Sequence, residues 1–392
     1  MKRLLATLKI GASMVTVLGW TVGALGVVAW VAGFVWGWQE MMVIAGGSLL
    51  LGAIAVALTL GRLDLSSTIE VSPSRVVVGE RAAGALTVTN KRSRTARGLR
   101  VEMPVGKAIA AYSLASLKGG DATDELFIVP TNRRAVISVG PVATVKGDPL
   151  GLMRRTETWG GVEEIYVHPK TVPLSTMAAG LIRDMEGQAT PQLSPSDVAF
   201  HTLREYVAGD DRRHIHWKSS AKIGNLMVRQ YVDTRRSHVA VLLSIDLDDY
   251  ADADEFELGV SCAASAAMQA LRDEQTLSLF AGGRQLVAEN PKRMLDRFSA
   301  IEATRGAGGL DHALTAARTL AADASVAVLC VGSAVPIANV RRSATRMSLD
   351  ATGIVLRADF EAKPGYQVIG TTKFVNVPAL DALGRGVAAV IS

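Results

Sequence analysis

Two long apolar runs open the chain. Ile10 to Trp38 contains no ionisable residue, Met41 to Gly61 contains none either, and only Gln39 and Glu40 stand between them. Each run exceeds the ~20 residues that a helix needs to cross a ~30 Å hydrocarbon layer. Residues 1–62 are therefore expected to form a transmembrane helical hairpin with a minimal turn. The apolar stretch of a cleaved signal peptide, roughly 7–15 residues, is too short to account for either run. Beyond the hairpin the apolar runs shorten. Val76-Val77-Val78, Leu86–Thr89, Leu99–Met103, Leu126–Val129, Ala135–Val139 and Ile165–Val167 are β-rich, with turn residues at Pro73-Ser74, Gly79, Asn90, Lys118-Gly119-Gly120 and Pro130-Thr131-Asn132. Short strands between regular turn signals predict an immunoglobulin-like β-sandwich over residues 63–172.

The pattern changes again in the second half. Residues 173–200 are rich in Pro, Ser and Gly and read as a linker, the first part of a segment placed at 173–234. From residue 235 to 392, strands alternate with helices. Val239–Leu243, Thr276–Phe280, Val326–Val331 and Ile354–Leu356 are continuous apolar runs, as strands buried on both faces require. An Ala-rich helix is expected from about Glu255 to Leu271, with further helices near 291–302, 310–322, 335–346 and 378–390. This alternation predicts a doubly wound α/β domain whose ligand crevice lies just after Leu243.

Charge gives the hairpin an expected orientation. Lys2, Arg3 and Lys9 precede the first run and Arg62 follows the second, while the turn carries only Glu40. Cations mark the cytoplasmic side, so both termini and the bulk of the chain are expected at the cytoplasmic face of the inner membrane. Trp36 and Trp38 would then lie in the aromatic belt on the far side. Cys262 and Cys330 sit in apolar surroundings and read as buried free thiols. A net charge of +5 at pH 7 is modest. No stacking platform, helix-turn-helix pattern or zinc-finger spacing accompanies it, so nucleic acid is not an expected partner. Clustered cations near Lys91–Arg100 and within Arg204–Arg236 suit anionic lipid head groups instead.

Residues 204–229 concentrate the unusual chemistry. Six cations, three carboxylates and two histidines surround Trp217, Gly209 and Gly224. Arg forks pair with carboxylates in folded polar networks. Arg204, Tyr206, Gly209, Asp210, Asp211, Arg213, His216, Trp217, Lys218, Gly224 and Arg229 are therefore the candidate residues for a network that holds either the fold or a partner. Asp210 is expected to pair with one or more of Arg204, Arg212 and Arg229, and Trp217 to be largely buried beside them.

This segment resembles the signature of the bacterial family known as domain of unknown function 58, a run close to R-E-Y-x-x-G-D-D-x-R-x-I-H-W-K-x-S-A-x-x-G-x-L-x-V-R. Ser138-Val139-Gly140-Pro141 with Asp148-Pro149-Leu150-Gly151-Leu152, ahead of the strand through Ile165, resembles the family's G-P … D-P-x-G-L passage. The resemblance implies a von Willebrand factor A-like α/β domain and a MoxR-type AAA+ ATPase partner. Such domains often hold Mg²⁺ through Asp-x-Ser-x-Ser after the first strand, because Mg²⁺ requires hard oxygen ligands. Here Asp246 matches the Asp, but Asp248 and Tyr250 replace the serines. Gly306–Asp311 offers no Thr, and Gly332-Ser333 stands where an Asp is expected. The acidic loop is thus expected to cap a helix N-terminus, leaving Asp246 and Asp248 as weak metal candidates and no cofactor implied.

Enzyme signatures are missing. Ser219 and Ser220 lack a G-x-S-x-G elbow, and the Gly306–Gly309 loop lacks the Lys-Ser/Thr of a phosphate loop. The expected function is a membrane-tethered scaffold or adaptor. The alternative is a metal-dependent hydrolase using His214, His216 and Asp210. If on one strand, the two His would share a face, although Arg212, Arg213, Lys218 and Lys222 oppose a bound cation.

Overall fold

The computed structural model describes residues 14–391 apart from 60–63, 94, 97–98, 115, 176–198, 208–209, 211, 233–237, 322–323, 346–351 and 370–371. The chain divides into two compact units, Met1–His168 and Pro169–Ser392. The charges that flank the hairpin (Lys2, Arg3, Lys9, Arg62) lie outside the described residues, as do Gly209, Asp211 and most of the expected linker.

In the first unit, α1 (Val17–Trp36) and α2 (Gln39–Thr59) are two helices long and apolar enough to cross a membrane. Glycine lets them approach closely, as small residues do between apolar helices. A Cβ added at Gly26 would lie 2.3 Å from Ser48 Oγ. Gly37, at φ 70°, ends α1 and allows the reversal into α2.

The strands that follow form two sheets. They are β1 (Leu65–Ser72), β2 (Arg75–Val77), β3 (Ala82–Asn90), β4 (Leu99–Val105), β5 (Ala108–Leu114), β6 (Ala122–Val129), β7 (Ala135–Val139), β8 (Val142–Gly147), β9 (Arg154–Trp159) and β10 (Glu163–His168). One sheet has the order β1-β3-β6, and the other runs β2-β10-β7-β4-β8-β9 with β5 on β4. Leu86, Val88, Phe127 and Val129 from the first sheet share a core with Val101, Met103, Val139, Ile165 and Val167 from the second. This is the expected sandwich, with strands β1, β5, β8 and β9 added to those legible in the sequence.

The Asp148–Leu152 passage has a structural role in this unit. The Asp148 carboxylate accepts from the N–H groups of Leu150 (2.9 Å) and Met153 (2.6 Å). Burial alone would raise its pKa, but these backbone donors outweigh that and hold it below the ordinary carboxylate value. The ordered loop then receives the start of α1. Thr16 N donates to Leu152 O at 3.0 Å and Thr16 Oγ1 donates to Gly151 O at 2.7 Å.

The second unit holds a small two-stranded sheet and a large one. β11 (Ala199–Glu205) pairs with β12 (Met227–Val232), and α3 (Trp217–Ile223) lies between them in sequence. There follow β13 (His238–Leu243), α4 (Ala253–Arg272), β14 (Thr276–Ala281), β15 (Arg284–Leu286), α5 (Pro291–Ser299), α6 (Gly309–Leu320), β16 (Val326–Val331), α7 (Ile337–Thr345), β17 (Thr352–Ala358), β18 (Gly365–Ile369), β19 (Thr372–Val377) and α8 (Leu380–Ile391).

The large sheet has the order β15-β14-β13-β16-β17-β19-β18, with β15 and β18 antiparallel at its edges. Side chains alternate along β13. Val239, Val241 and Leu243 pack with α4, α5 and α8 on one face. Ala240 and Leu242 pack with α6 on the other. Helices thus cover both faces of a largely parallel sheet, as the continuous apolar runs imply. Val172 N and Leu174 N, where the linker was expected to begin, donate to Ser265 Oγ (3.1 Å) and Gln269 Oε1 (3.3 Å) on α4.

Candidate functional site

Strand order reverses on either side of β13, which has β14 as one neighbour and β16 as the other. At such a switch point the carboxyl ends of the strands open a crevice, the usual ligand site of an α/β sheet. Here the crevice is filled by the chain itself. Asp246 is buried, and its carboxylate accepts from the N–H groups of Asp248 (3.1 Å), Gly306 (3.0 Å) and Gly308 (3.1 Å). The Gly306–Asp311 loop, which offers no supporting Thr, brings backbone donors instead. Partial positive charge from three N–H groups therefore surrounds the carboxylate that would otherwise be the first Mg²⁺ ligand. Asp248 itself is exposed. Thr304, two residues before that glycine loop, is joined to Asp246 by a backbone bridge, but its side chain is exposed.

The rest of the crevice closes in the same way. Ser244 Oγ donates to Asp249 Oδ2, and Tyr250 Oη donates to Ser244 O at 2.8 Å. Tyr250 is buried edge-on against Phe256, with ring centroids 5.2 Å apart. Glu255, a buried residue that the sequence reading passed over, accepts from Ser333 N (2.6 Å), Ser333 Oγ (2.8 Å) and Ala251 N (3.3 Å). Arg357 Nη2 braces the same turn by donating to Ser333 O at 2.7 Å. A Cβ at Gly332 would lie 2.4 Å from Asp249 O and 2.6 Å from Glu255 Oε1, so only glycine fits there. Burial raises the pKa of Asp249, the Ser244 hydroxyl opposes that rise, and the nearby Asp246 and Asp248 charges add to it.

The expectation of an acidic loop at a helix N-terminus is met by a different residue. Asp252, rather than Asp246, caps α4, accepting from Asp254 N (2.9 Å) and Glu255 N (2.7 Å). Asp246 caps the short 3₁₀ turn Leu247–Asp249. The spacing Asp252-x-x-Glu255 has the form of a capping box and was the available signal for Glu255. The spacing could not reveal that Glu255 reaches across to Ser333. Cys262 and Cys330 are free and buried as expected. Burial pushes Cys262 up to about 12, which removes it as a nucleophile near neutral pH.

The 204–229 segment forms a separate lobe. Arg204 and Asp210 make a fork-to-carboxylate pair, with Nη1–Oδ2 and Nη2–Oδ1 both at 2.7 Å. Asp210 also accepts from Val207 N at 2.9 Å and closes that turn. The Arg204 hydrogen bond, then the Val207 N–H, hold the Asp210 carboxyl below its ordinary pKa. The pairing expectation is thus met by Arg204, while Arg212 and Arg229 are exposed.

His216 caps α3. Its Nδ1 lies 2.7 Å from Ser219 Oγ, and its backbone N–H bonds Met227 O at 2.8 Å. Ser220 Oγ donates to His216 O (3.1 Å) and accepts from Met227 N (2.8 Å). Gly224, at φ 85°, ends the helix in the left-handed region that its position in the motif requires. Tyr206 is half-buried, and its N–H bonds Leu226 O at 2.8 Å. Arg213 and Lys218 are exposed.

Two expectations fail here. Trp217 is 66% exposed instead of buried beside the ion pair: Ile215 and Val228, joined by a backbone bridge, are buried apolar residues of the lobe, and α3 turns Ser220 inward and Trp217 outward. His214 and His216 do not share a strand. His214 lies in the 3₁₀ turn Arg212–His214 and His216 is a helix cap. With Asp210 committed to Arg204, the trio proposed for a hydrolase is not assembled. Among the described residues, no group of three or more His, Cys, Asp and Glu is placed to hold a metal ion.

Comparison with known proteins bears on this same lobe. Residues 202–329 match the model of the family described as protein of unknown function DUF58. No curated protein matches the chain. Among solved structures, the chain is similar to a CARDB domain from Pyrococcus furiosus, at 13% identity and a TM-score of 0.21, over 27% of this chain and 93% of that one. It is also similar to the sporulation control protein Spo0M of Bacillus subtilis, at 11% identity and a TM-score of 0.16, over 36% of this chain and 57% of that one. Scores this low carry neither fold nor function across.

Proposed function

We propose that this chain is a membrane-tethered cytoplasmic adaptor that acts with a MoxR-type AAA+ ATPase and has no catalytic centre of its own. The observation that carries the reading is the contrast between a crevice filled by its own side chains and a lobe that turns Trp217 to solvent. A filled crevice suits a domain that presents a surface better than one that turns over a small molecule. Two helices apolar enough to span a membrane supply the tether, and the match to the DUF58 model supports the family resemblance on which the ATPase rests. The central parallel strands, the short antiparallel β15 at one edge and the acidic turn after β13 support a von Willebrand factor A-like domain with a degenerate metal motif.

The adaptor reading leaves two surfaces for partners. One is the strand-end rim, where Asp248, Asp252 and Asp254 are exposed, and the other is the outward side of the signature lobe. Tethering raises the local concentration of weak contacts into a useful range. Capture of the tagged full chain from its host membranes should recover the ATPase, and Asp248→Lys, a surface change, should weaken that recovery. Failure to recover any ATPase with the parent chain would sink the partner assignment. For topology, a reporter fused after Ser392 should be active only in the cytoplasm, and activity outside it would reverse the assigned orientation.

A further inference from the structure

We propose that the outward side of the signature lobe is a second bilayer contact, one that takes anionic lipid head groups. The assignment rests on the tethered reading above and gives one of its two surfaces a definite occupant. At about 100° per residue, Trp217, Lys218, Ala221 and Lys222 fall on one arc of α3, and all four are exposed, while Ser220 on the other side is buried. At the end of this helix Ile223 is 57% exposed and Leu226 44%. Val207, also exposed, is held next to Leu226 by the Tyr206 N–H···O bond. Arg212 adds an exposed cation just before α3. The nearest described acids are engaged, Asp210 by Arg204 and Glu205 by Asn225 Nδ2 at 3.1 Å. The lobe thus leaves four large apolar side chains in water beside the exposed cations Arg212, Lys218 and Lys222.

An indole with an apolar body and a polar N–H is at home at head-group depth, and lysine stems extend along apolar surface while their ammonium groups meet phosphate. Cations near an anionic leaflet are attracted to it within a Debye length. A protein surface could also accept an exposed Trp. The bilayer is favoured because the chain's own apolar helices keep one within reach at high effective concentration.

The test uses the full chain in nanodiscs of phosphatidylcholine alone, or of phosphatidylcholine mixed with phosphatidylglycerol. Brief lysine acetylation is read by mass spectrometry at Lys218 and Lys222, with exposed Lys292 on α5 as the reference. Anionic discs should slow labelling of both lysines by about threefold or more relative to Lys292, and high salt or Trp217→Ser should remove that protection. Equal labelling in the two kinds of disc would overturn the proposal while leaving the tether intact. Protection that depends on added host lysate and ignores the lipid would give the surface to a protein partner and also overturn it. A chain that does not enter discs at all would overturn the tether, and this assignment with it.

Discussion

The strand-end crevice of the large sheet and the signature lobe are both rich in charge and each carries an aromatic, yet they dispose these groups in opposite ways. In the crevice, Asp246 and Glu255 are buried and fully engaged by backbone and serine donors, and Tyr250 plugs the space between them. In the lobe, the Arg204–Asp210 ion pair lies at a turn, and Trp217, Lys218 and Lys222 face solvent. Buried polar groups must find partners within the fold, so the crevice reads as a structural clasp. Exposed aromatic and cationic side chains contribute little to folding and are free to meet something else. The two regions therefore differ in what their charges do: the buried carboxylates of the crevice are spent on the fold, while the side chains of the lobe stand in water.

The strongest way to break this comparison is at Asp246. Asp246→Ala leaves two loop N–H groups and one turn N–H without their acceptor. These donors lie at exposed residues and can regain water, so the loss is expected to total about 1–3 kcal/mol rather than that for each. The variant is expected to lower the melting temperature of the α/β domain markedly in calorimetry of the full chain. Millimolar Mg²⁺ should not shift the parent. A Mg²⁺-dependent stabilisation abolished by Asp246→Ala would return the crevice to the metal-site reading.

Asp210→Ala should have a smaller effect with a distinct pH signature. The Asp210 carboxyl is held below its ordinary value by Arg204, so its contribution is present above the unfolded-state pKa of ~3.9. The contribution is lost as pH falls through the folded value. Parent and variant should differ at neutral pH and converge in strong acid. A constant difference across that range would mean that the ion pair is not the source.

The aromatics of the two regions give the sharpest contrast, and the smallest effect is expected among the acids. Trp217→Ala, a surface truncation, should change stability by no more than ~0.5 kcal/mol, whereas Tyr250→Ala in the crevice should cost ~3–5 kcal/mol, the cost of truncating a buried large aromatic. Comparable melting of the two variants would erase the contrast. Asp249→Asn should slightly stabilise the chain at neutral pH. Burial raises the Asp249 pKa, so the ionised form weakens the folded state above the unfolded pKa and the penalty disappears as pH falls below it. Thermal melts at neutral and acidic pH check this, and a destabilised variant at neutral pH would contradict it.

Periodicity and apolar content alone made the architecture legible. An uncharged run longer than a bilayer is thick admits few alternatives to a spanning helix, and the structure begins with α1 and α2. Continuous apolar runs such as Val326–Val331 can only be strands or helices buried all round, and their length and β-branching selected strands. Strand β9 is not legible as an apolar run because it alternates half-buried with exposed polar positions, and β8 because its buried Val142, Thr144 and Val145 are broken up by small and polar residues. The sequence also confined the partner of Asp210 to Arg204, Arg212 or Arg229, since that pair depends on neighbours within the motif. Tertiary structure alone decided which side of the motif faces water and what fills the crevice. Trp217 is exposed, while Ile215 and Val228 are buried apolar residues of the lobe. Asp246 is satisfied by Gly306 and Gly308, sixty residues and more along the chain. No local pattern encodes a hydrogen bond to a distant backbone N–H, because every residue other than proline offers the same donor whatever its side chain.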